Sequence, residues 1–362
     1  MLNDPRLSKD MHAALARDGD IVAEGLLGPA LARHMLNVDP PDHTRLRRLV
    51  SDAFSRRRVD SMQPRISAIV DSLLDGIAAG EPDRPVDLVA SFAFPMPFTV
   101  ICELLGVAAG DREAFGTELR ALVDAAERPR AIAAAAAVID MLDGLVGRKR
   151  HTPSNDLVTA LIAARDGDER LSEQELRSTI FQLVVAGHDT TTNLIGNGVV
   201  ALHRHPDQLA ALRADPDLIG AVVEELLRFD PPAHHATFRF AVDDVQIAGT
   251  TIPAGSQVLV CLAAANRDPA RFADPDVLDV SRTDQRHLAF GHGIHHCLGA
   301  GLARLEARVA LASLLRRFPR LRIAVPLDEL RWSHGDGVVL RGLAELPVIP
   351  GLTGVADPID PT

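Results

Sequence analysis

Apolar residues recur at three- and four-residue spacing through most of the chain. This period predicts amphipathic helices over 43–56, 63–79, 88–106, 111–125, 130–148, 155–165, 173–203, 207–213, 217–229 and 298–317. Alternation with a period of two is confined to short, late stretches. These read as strands at 239–241, 245–247 and 257–262, with a hairpin candidate between 321–325 and 343–348. The longest helix opens on a readable signal, Ser172 followed three residues later by Glu175, which can bond each other's backbone reciprocally. The alanine run 133–137 is a strong helix former. No repeat, Gly/Ser-rich linker or charge block divides the chain, so a mainly α fold with small sheets (α+β) is expected as one unit over 1–350. The Pro-, Gly- and Asp-rich stretch 351–362 is expected to be a flexible tail.

Composition narrows the function classes. A net charge of −11 over 362 residues disfavours nucleic acid as a partner. Three cysteines are too few and odd in number for a disulfide framework, and Cys102 and Cys261 lie in apolar runs as small buried hydrophobes. The polar amino terminus, Met1 to Asp10, and the lack of an apolar run of membrane-spanning length lead to the expectation of a soluble cytoplasmic protein. Against the acidic background stand Arg45, Arg47, Arg48, Arg56, Arg57 and Arg58 around one predicted helix, and Arg304 and Arg308 on another. An ordinary solvated face explains Arg56 to Arg58 about equally well as a docking site.

One stretch breaks the helical period: Phe290-Gly291-His292-Gly293-Ile294-His295-His296-Cys297-Leu298-Gly299. Glycines at 291, 293 and 299 permit turns closed to other residues, so the loop can aim backbone N–H groups at the sulfur. Such donors, with a helix starting just beyond, favour the thiolate that ligates a metal. Two plainer readings stand beside this one. The cysteine is inert, or His292, His295, His296 and Cys297 hold zinc, although one short segment is a poor source of tetrahedral ligands.

Inside the predicted helix 173–203 lies Ala186-Gly187-His188-Asp189-Thr190-Thr191. Small residues at 186 and 187 let a ligand approach the helix backbone, while Thr190 and Thr191 compete for the ladder and admit water. A carboxylate beside an alcohol is a proton-delivery pair; the plain alternative is that both face solvent. Glu225 and Arg228 share a helix face, as many weak surface pairs do.

Together the patterns F-x-x-G-x-H-x-C-x-G, A-G-H-D-T-T and E-x-x-R resemble the signatures of the cytochrome P-450 family, the haem-thiolate monooxygenases. The resemblance runs from Asp4-Pro5 to Pro350. It implies a triangular, helix-rich prism around a buried haem b, with Cys297 as the axial iron ligand. Cofactor contacts would come from His43, Arg47, Ala186, Gly187, Arg239, Phe290, Gly291, Gly293, His295, Cys297 and Gly299, of which His43, Arg47, Arg239 and His295 match positions that meet the propionates. Asp189 would relay protons and Thr190 would donate them. Glu225 and Arg228 would form a buried structural pair, joined in the family by a meander arginine where this chain has Val277; Arg282 is the candidate replacement. Gln182, Val185, Ala186, His235, Thr237 and Val339 would line a substrate pocket roofed near 123–130.

The implied reaction inserts one atom of dioxygen, by hydroxylation or epoxidation, into a hydrophobic small molecule such as a polyketide, macrolide, terpenoid or steroid. The chain carries no flavin, nicotinamide or iron–sulfur fingerprint. Electrons from NAD(P)H would therefore arrive through a ferredoxin or flavodoxin-type donor and its reductase on the basic face of a monomer, with neither membrane nor nucleic acid involved. Bacterial members carry roughly 40 more residues ahead of Met1, a helix, two strands of the main sheet and another helix, so either the true start lies upstream or the sheet lacks its usual strands, leaving an unpaired edge and an open pocket. Two competitors follow: a peroxide-driven enzyme, disfavoured by Asp189 and Thr190, and a non-catalytic haem- or ligand-binding protein.

Overall fold

A computed structural model describes residues 1–10, 31–81, 83–124, 128–166, 171–333 and 338–351; all of the expected tail 351–362 except Gly351, and the centre of the expected roof, 125–127, lie outside them. The molecule is arranged around α7 (Glu173–Arg204). Its amino terminus carries the capping box: the Ser172 hydroxyl accepts from the Glu175 N–H, and the Glu175 carboxylate accepts from the Ser172 N–H. From Leu176 to Leu202 most side chains are buried, because few charges interrupt the helix there and neighbours cover most of its surface. Those neighbours are α3 (Pro95–Leu105), α9 (Ile219–Phe229) and α11 (Ala300–Arg317). Around them stand α1 (Asp42–Ser51), α2 (Arg56–Ala78), the antiparallel-neighbour pair α4 (Arg112–Asp124) and α5 (Arg128–His151), then α6 (Leu157–Asp166), α8 (Pro206–Ala214) and the single turn α10 (Leu262–Ala265). One apolar core runs from Leu31 to Val348.

Two helix boundaries depart from the pattern. The predicted helix 63–79 begins at Arg56, because arginines at 56–58 form helix without contributing to the apolar period, and Pro64 lies inside it. The predicted 88–106 splits into a π-turn over Val89–Ala93 and a fresh start at Pro95, whose missing N–H is harmless at a first helical position.

The strands are short. β1 (Leu7–Ser8), β3 (Arg239–Ala241) and β6 (Gln257–Val258) form one antiparallel sheet in that order. β4 (Val245–Ile247) and β5 (Thr250–Ile252) make a hairpin. β2 (Val86–Asp87), β10 (Pro347–Ile349) and β7 (Arg322–Ile323) form a second antiparallel sheet. The expected 321–325 and 343–348 partners do pair, Val348 opposite Ile323, but not as a hairpin: β8 (Trp332–Ser333) and β9 (Gly342–Leu343) pair between them. The expected strand 257–262 ends at Val258. Cys261 instead caps α10, its sulfur accepting from the Ala264 N–H at 3.4 Å, so it is a half-buried cap and not a buried hydrophobe. Cys102 is buried as expected, and burial pushes its thiol up to about 12.

Candidate active site

The cysteine loop folds back on itself ahead of α11. Gly291 and Gly293 adopt φ of +69° and +80°, a region that glycine enters without steric cost. The Cys297 N–H donates to the Phe290 carbonyl at 2.9 Å, and the His296 N–H to Gly293 at 3.0 Å. Gly299 is different: its φ is −81°, so its backbone needs no glycine, and its N–H points back to the sulfur. The Cys297 side chain is exposed yet ringed by protein atoms, which places it in a cleft. Burial pushes its thiol up, against the Gly299 N–H, Arg47 and Arg304, so the donors alone do not produce the thiolate the sequence led us to expect. A metal cation at the sulfur reverses that balance. Among the described residues no three His, Cys, Asp or Glu side chains converge as a metal site, which removes the zinc reading of the loop.

Beside the loop lies a concentration of positive groups. α1 carries His43 and Arg47 on one face: the His43 ring sits 4.4 Å from that of His295, and Arg47 donates to the His296 carbonyl at 2.8 Å. Arg239, buried on β3, donates to the Leu2 carbonyl at 3.2 Å. Neither nitrogen of His43, nor Nε2 of His295, has a well-aligned hydrogen-bond partner. Burial, then Arg47, pulls His43 below its ordinary value; burial, then His43, Lys9, Arg239 and Arg47, brings His295 down to about 3. Arg47 and Arg239 are also lowered, chiefly by burial. Two arginines and two imidazoles whose protonated forms are all disfavoured, with the His295 Nε2 lacking a partner among the described residues, mark a site short of negative charge. Two propionate carboxylates supply it, so these residues fit haem.

On α7, Ala186 is exposed in the middle of a largely buried helix. Gly187 acts differently from expectation: a Cβ there would meet Ile101 of α3 at 3.0 Å, so the missing side chain lets two helices approach. Thr190 Oγ1 donates to the Ala186 carbonyl at 3.0 Å. Asp189 is not an isolated carboxylate, because His188 Nε2 lies 3.0 Å from its Oδ1 while His188 Nδ1 lies 2.7 Å from the Val184 carbonyl. Thr191 turns away from the cleft, buried, toward Glu306 of α11, where burial holds the carboxyl well above the usual range.

The expected substrate contacts meet in part. His235 Nδ1 approaches the Val338 carbonyl at 2.7 Å and the His234 N–H donates to Val339 at 2.9 Å, so these two segments adjoin. Thr237 is half-buried and bonded by Lys9; Gln182 is buried with an unpartnered Oε1; Val185 is half-buried.

Glu225 and Arg228 are fully buried and bonded at 2.7 and 2.8 Å. Arg282 completes the set, its Nε 3.2 Å from Glu225, while Val277 is 53% exposed. An arginine at 277 is thus not needed, and Arg282 fills the role. The sequence pointed to neither Lys9 nor His188 nor Glu306, whose meaning depends on contacts between distant segments or on burial.

A model of the cytochrome P450 family matches residues 126–331. Cytochrome P450 107B1 of Saccharopolyspora erythraea is 48% identical over 358 residues, covering 97% of this chain and 86% of that protein. The mycinamicin IV hydroxylase/epoxidase of Micromonospora griseorubida is 46% identical, covering 87% and 79%. The tirandamycin C-bound P450 monooxygenase TamI superposes with a TM-score of 0.87 at 47% identity, covering 96% and 86%. With its cysteine loop, its cluster of cations and this similarity along nearly its whole length, the chain belongs to the cytochrome P450 family and is a haem-thiolate monooxygenase.

Proposed function

We propose that the enzyme hydroxylates or epoxidises a bulky hydrophobic secondary metabolite of the polyketide or macrolide class. The observation that carries this reading is the Cys297 loop beside a cluster of basic groups with unpartnered imidazole nitrogens. The substrate class is supported by two relatives, one solved with tirandamycin C and one named for mycinamicin IV.

Bound haem supplies the iron at which dioxygen is reduced and split. Cys297 would offer its sulfur to the iron, with the Gly299 N–H, Arg47 and Arg304 favouring the thiolate. His43, Arg47, Arg239 and His295 would hold the propionates, Phe290, Gly291 and Gly293 would shape the loop that receives the haem, and the small side chain of Ala186 would leave room for it. Thr190 exchanges its bond to the Ala186 carbonyl for one to water and hands on a proton, which Asp189 replenishes. Val185, Ala186 and Val339 would orient the substrate and exclude bulk water. Electrons arrive from a ferredoxin or flavodoxin-type partner on the exposed arginines of α2 and α11.

The test is the optical spectrum of the haem-loaded protein reduced under carbon monoxide. A strongly red-shifted Soret band is expected, and Cys297→His should abolish it while haem remains bound. Titration with a macrolide, a sterol and a monoterpene should shift the ferric spin state for the macrolide first. A neutral-ligand band in the wild type would overturn the assignment of Cys297.

A further inference from the structure

Lys9 is almost fully buried just beyond β1, yet it makes no ion pair among the described residues. Its ammonium donates to the Thr237 hydroxyl and, at 2.8 Å, to the Phe238 carbonyl, which among the described residues leaves the third proton without an acceptor. Asp39, the nearby acid, is engaged elsewhere: its carboxylate takes the Ser8 hydroxyl and the Lys9 backbone N–H. A buried ammonium with a free donor is costly unless an anion completes it. Burial and then Arg239 bring Lys9 down to about 7, the behaviour of a cation facing cations. Its setting is the anion-deficient cluster, because β1 pairs with β3, which carries Arg239, and Thr237 lies two residues before Arg239 on the same side of the alternation.

We propose that Lys9 is a further haem-binding residue, its free proton bonding a propionate carboxylate and so tying the β1 segment to the cofactor. The inference rests on the haem site described above. It adds a fifth group, one that no signature motif contains.

The experiment measures haem loss from Lys9→Met and wild type to an excess of apomyoglobin, each loaded with haem or with haem dimethyl ester, which lacks both carboxylate charges. Haem should leave the variant about tenfold faster than wild type, and the difference should vanish with the ester. Lys9→Gln, which keeps a donor for Thr237 and Phe238 without the charge, serves where methionine disturbs folding and should behave alike. The reduction potential should also fall in the variant, since a positive charge beside the haem favours the ferrous form. Unchanged loss in both variants overturns the proposal. Equal acceleration with haem and ester also overturns it, because the lysine then only packs. A wild type that takes up no haem overturns the haem site with it.

Discussion

At the level of single residues, His188 sets the state of Asp189, the carboxylate proposed above to pass protons to Thr190. Both ring nitrogens face acceptors, the Val184 carbonyl and Asp189 Oδ1, and only the imidazolium donates to both at once. Burial works against that charge, but the Asp189 carboxylate outweighs it, so His188 stands above the ordinary histidine value. Asp189 is thus held as the partner of a buried cation, between the edges of Phe94 and Phe98. Replacing His188 by Phe removes that counter-charge. Product formed per electron should fall several-fold while hydrogen peroxide rises, as it should in Thr190→Ala, where the donor itself is lost. Stability supplies a second readout. A raised folded value stabilises the protein fully below the unfolded histidine range and less as the pH climbs through the folded value, so His188→Phe should flatten that decline in thermal-unfolding midpoint. Unchanged coupling together with an unchanged pH slope would remove His188 from the relay.

At the level of elements, the end of α9 is locked to the meander by one arginine. Arg228 donates to Glu225 and to the carbonyls of Asn266, Pro275 and Val277, and Arg282 braces Glu225 from the far side. Arg228→Ala strands a carboxylate of zero exposure and should cost about 3–5 kcal/mol. Arg282→Ala, with its side chain 10% exposed, should cost about 1–3 kcal/mol. Val277→Arg should stay within about 0.5 kcal/mol, since that side chain points to solvent. Urea unfolding of the three variants checks the order. The contrast also shows what a linear chain discloses. The Glu225–Arg228 spacing and the Ser172–Glu175 box are legible because helix geometry relates residues three apart. Arg282, 57 residues from its carboxylate, has no local signal and was reached only through the resemblance, while the pairing of β7 with β10 was legible but the β8–β9 pair inserted between them was not. The cysteine loop, Arg47 and Arg239 were legible through motif position. Lys9 was not, because its burial and its bond to Thr237 arise only when β1 meets β3.

Across the whole molecule the charge is −11, which repels an acidic electron donor, so any productive encounter depends on where the remaining positive charge sits. Much of the basic cluster read from the sequence is committed inward. Arg45 pairs with Glu175 at 2.6 Å, Arg47 bonds the cysteine loop, and Arg304 is held by both oxygens of Glu224 at 2.7 and 2.8 Å while lying 4.4 Å over the Phe290 ring. Arg57 at the start of α2 and Arg308 on α11 stay exposed, on helices that pack against each other. Steering by such a patch acts on the association rate and is screened beyond about 8 Å at physiological salt. Reversing both charges, Arg57→Glu with Arg308→Glu, should slow the first electron transfer from an acidic ferredoxin about tenfold at low ionic strength. The difference should nearly disappear at about 0.5 M salt. Net charge alone predicts the same slowing for any two reversals, so Arg213→Glu with Arg322→Glu, on α8 and β7, is the control. Stopped-flow reduction in both backgrounds decides between them: equal slowing would assign the effect to the global field, and selective slowing places the donor on α2 and α11.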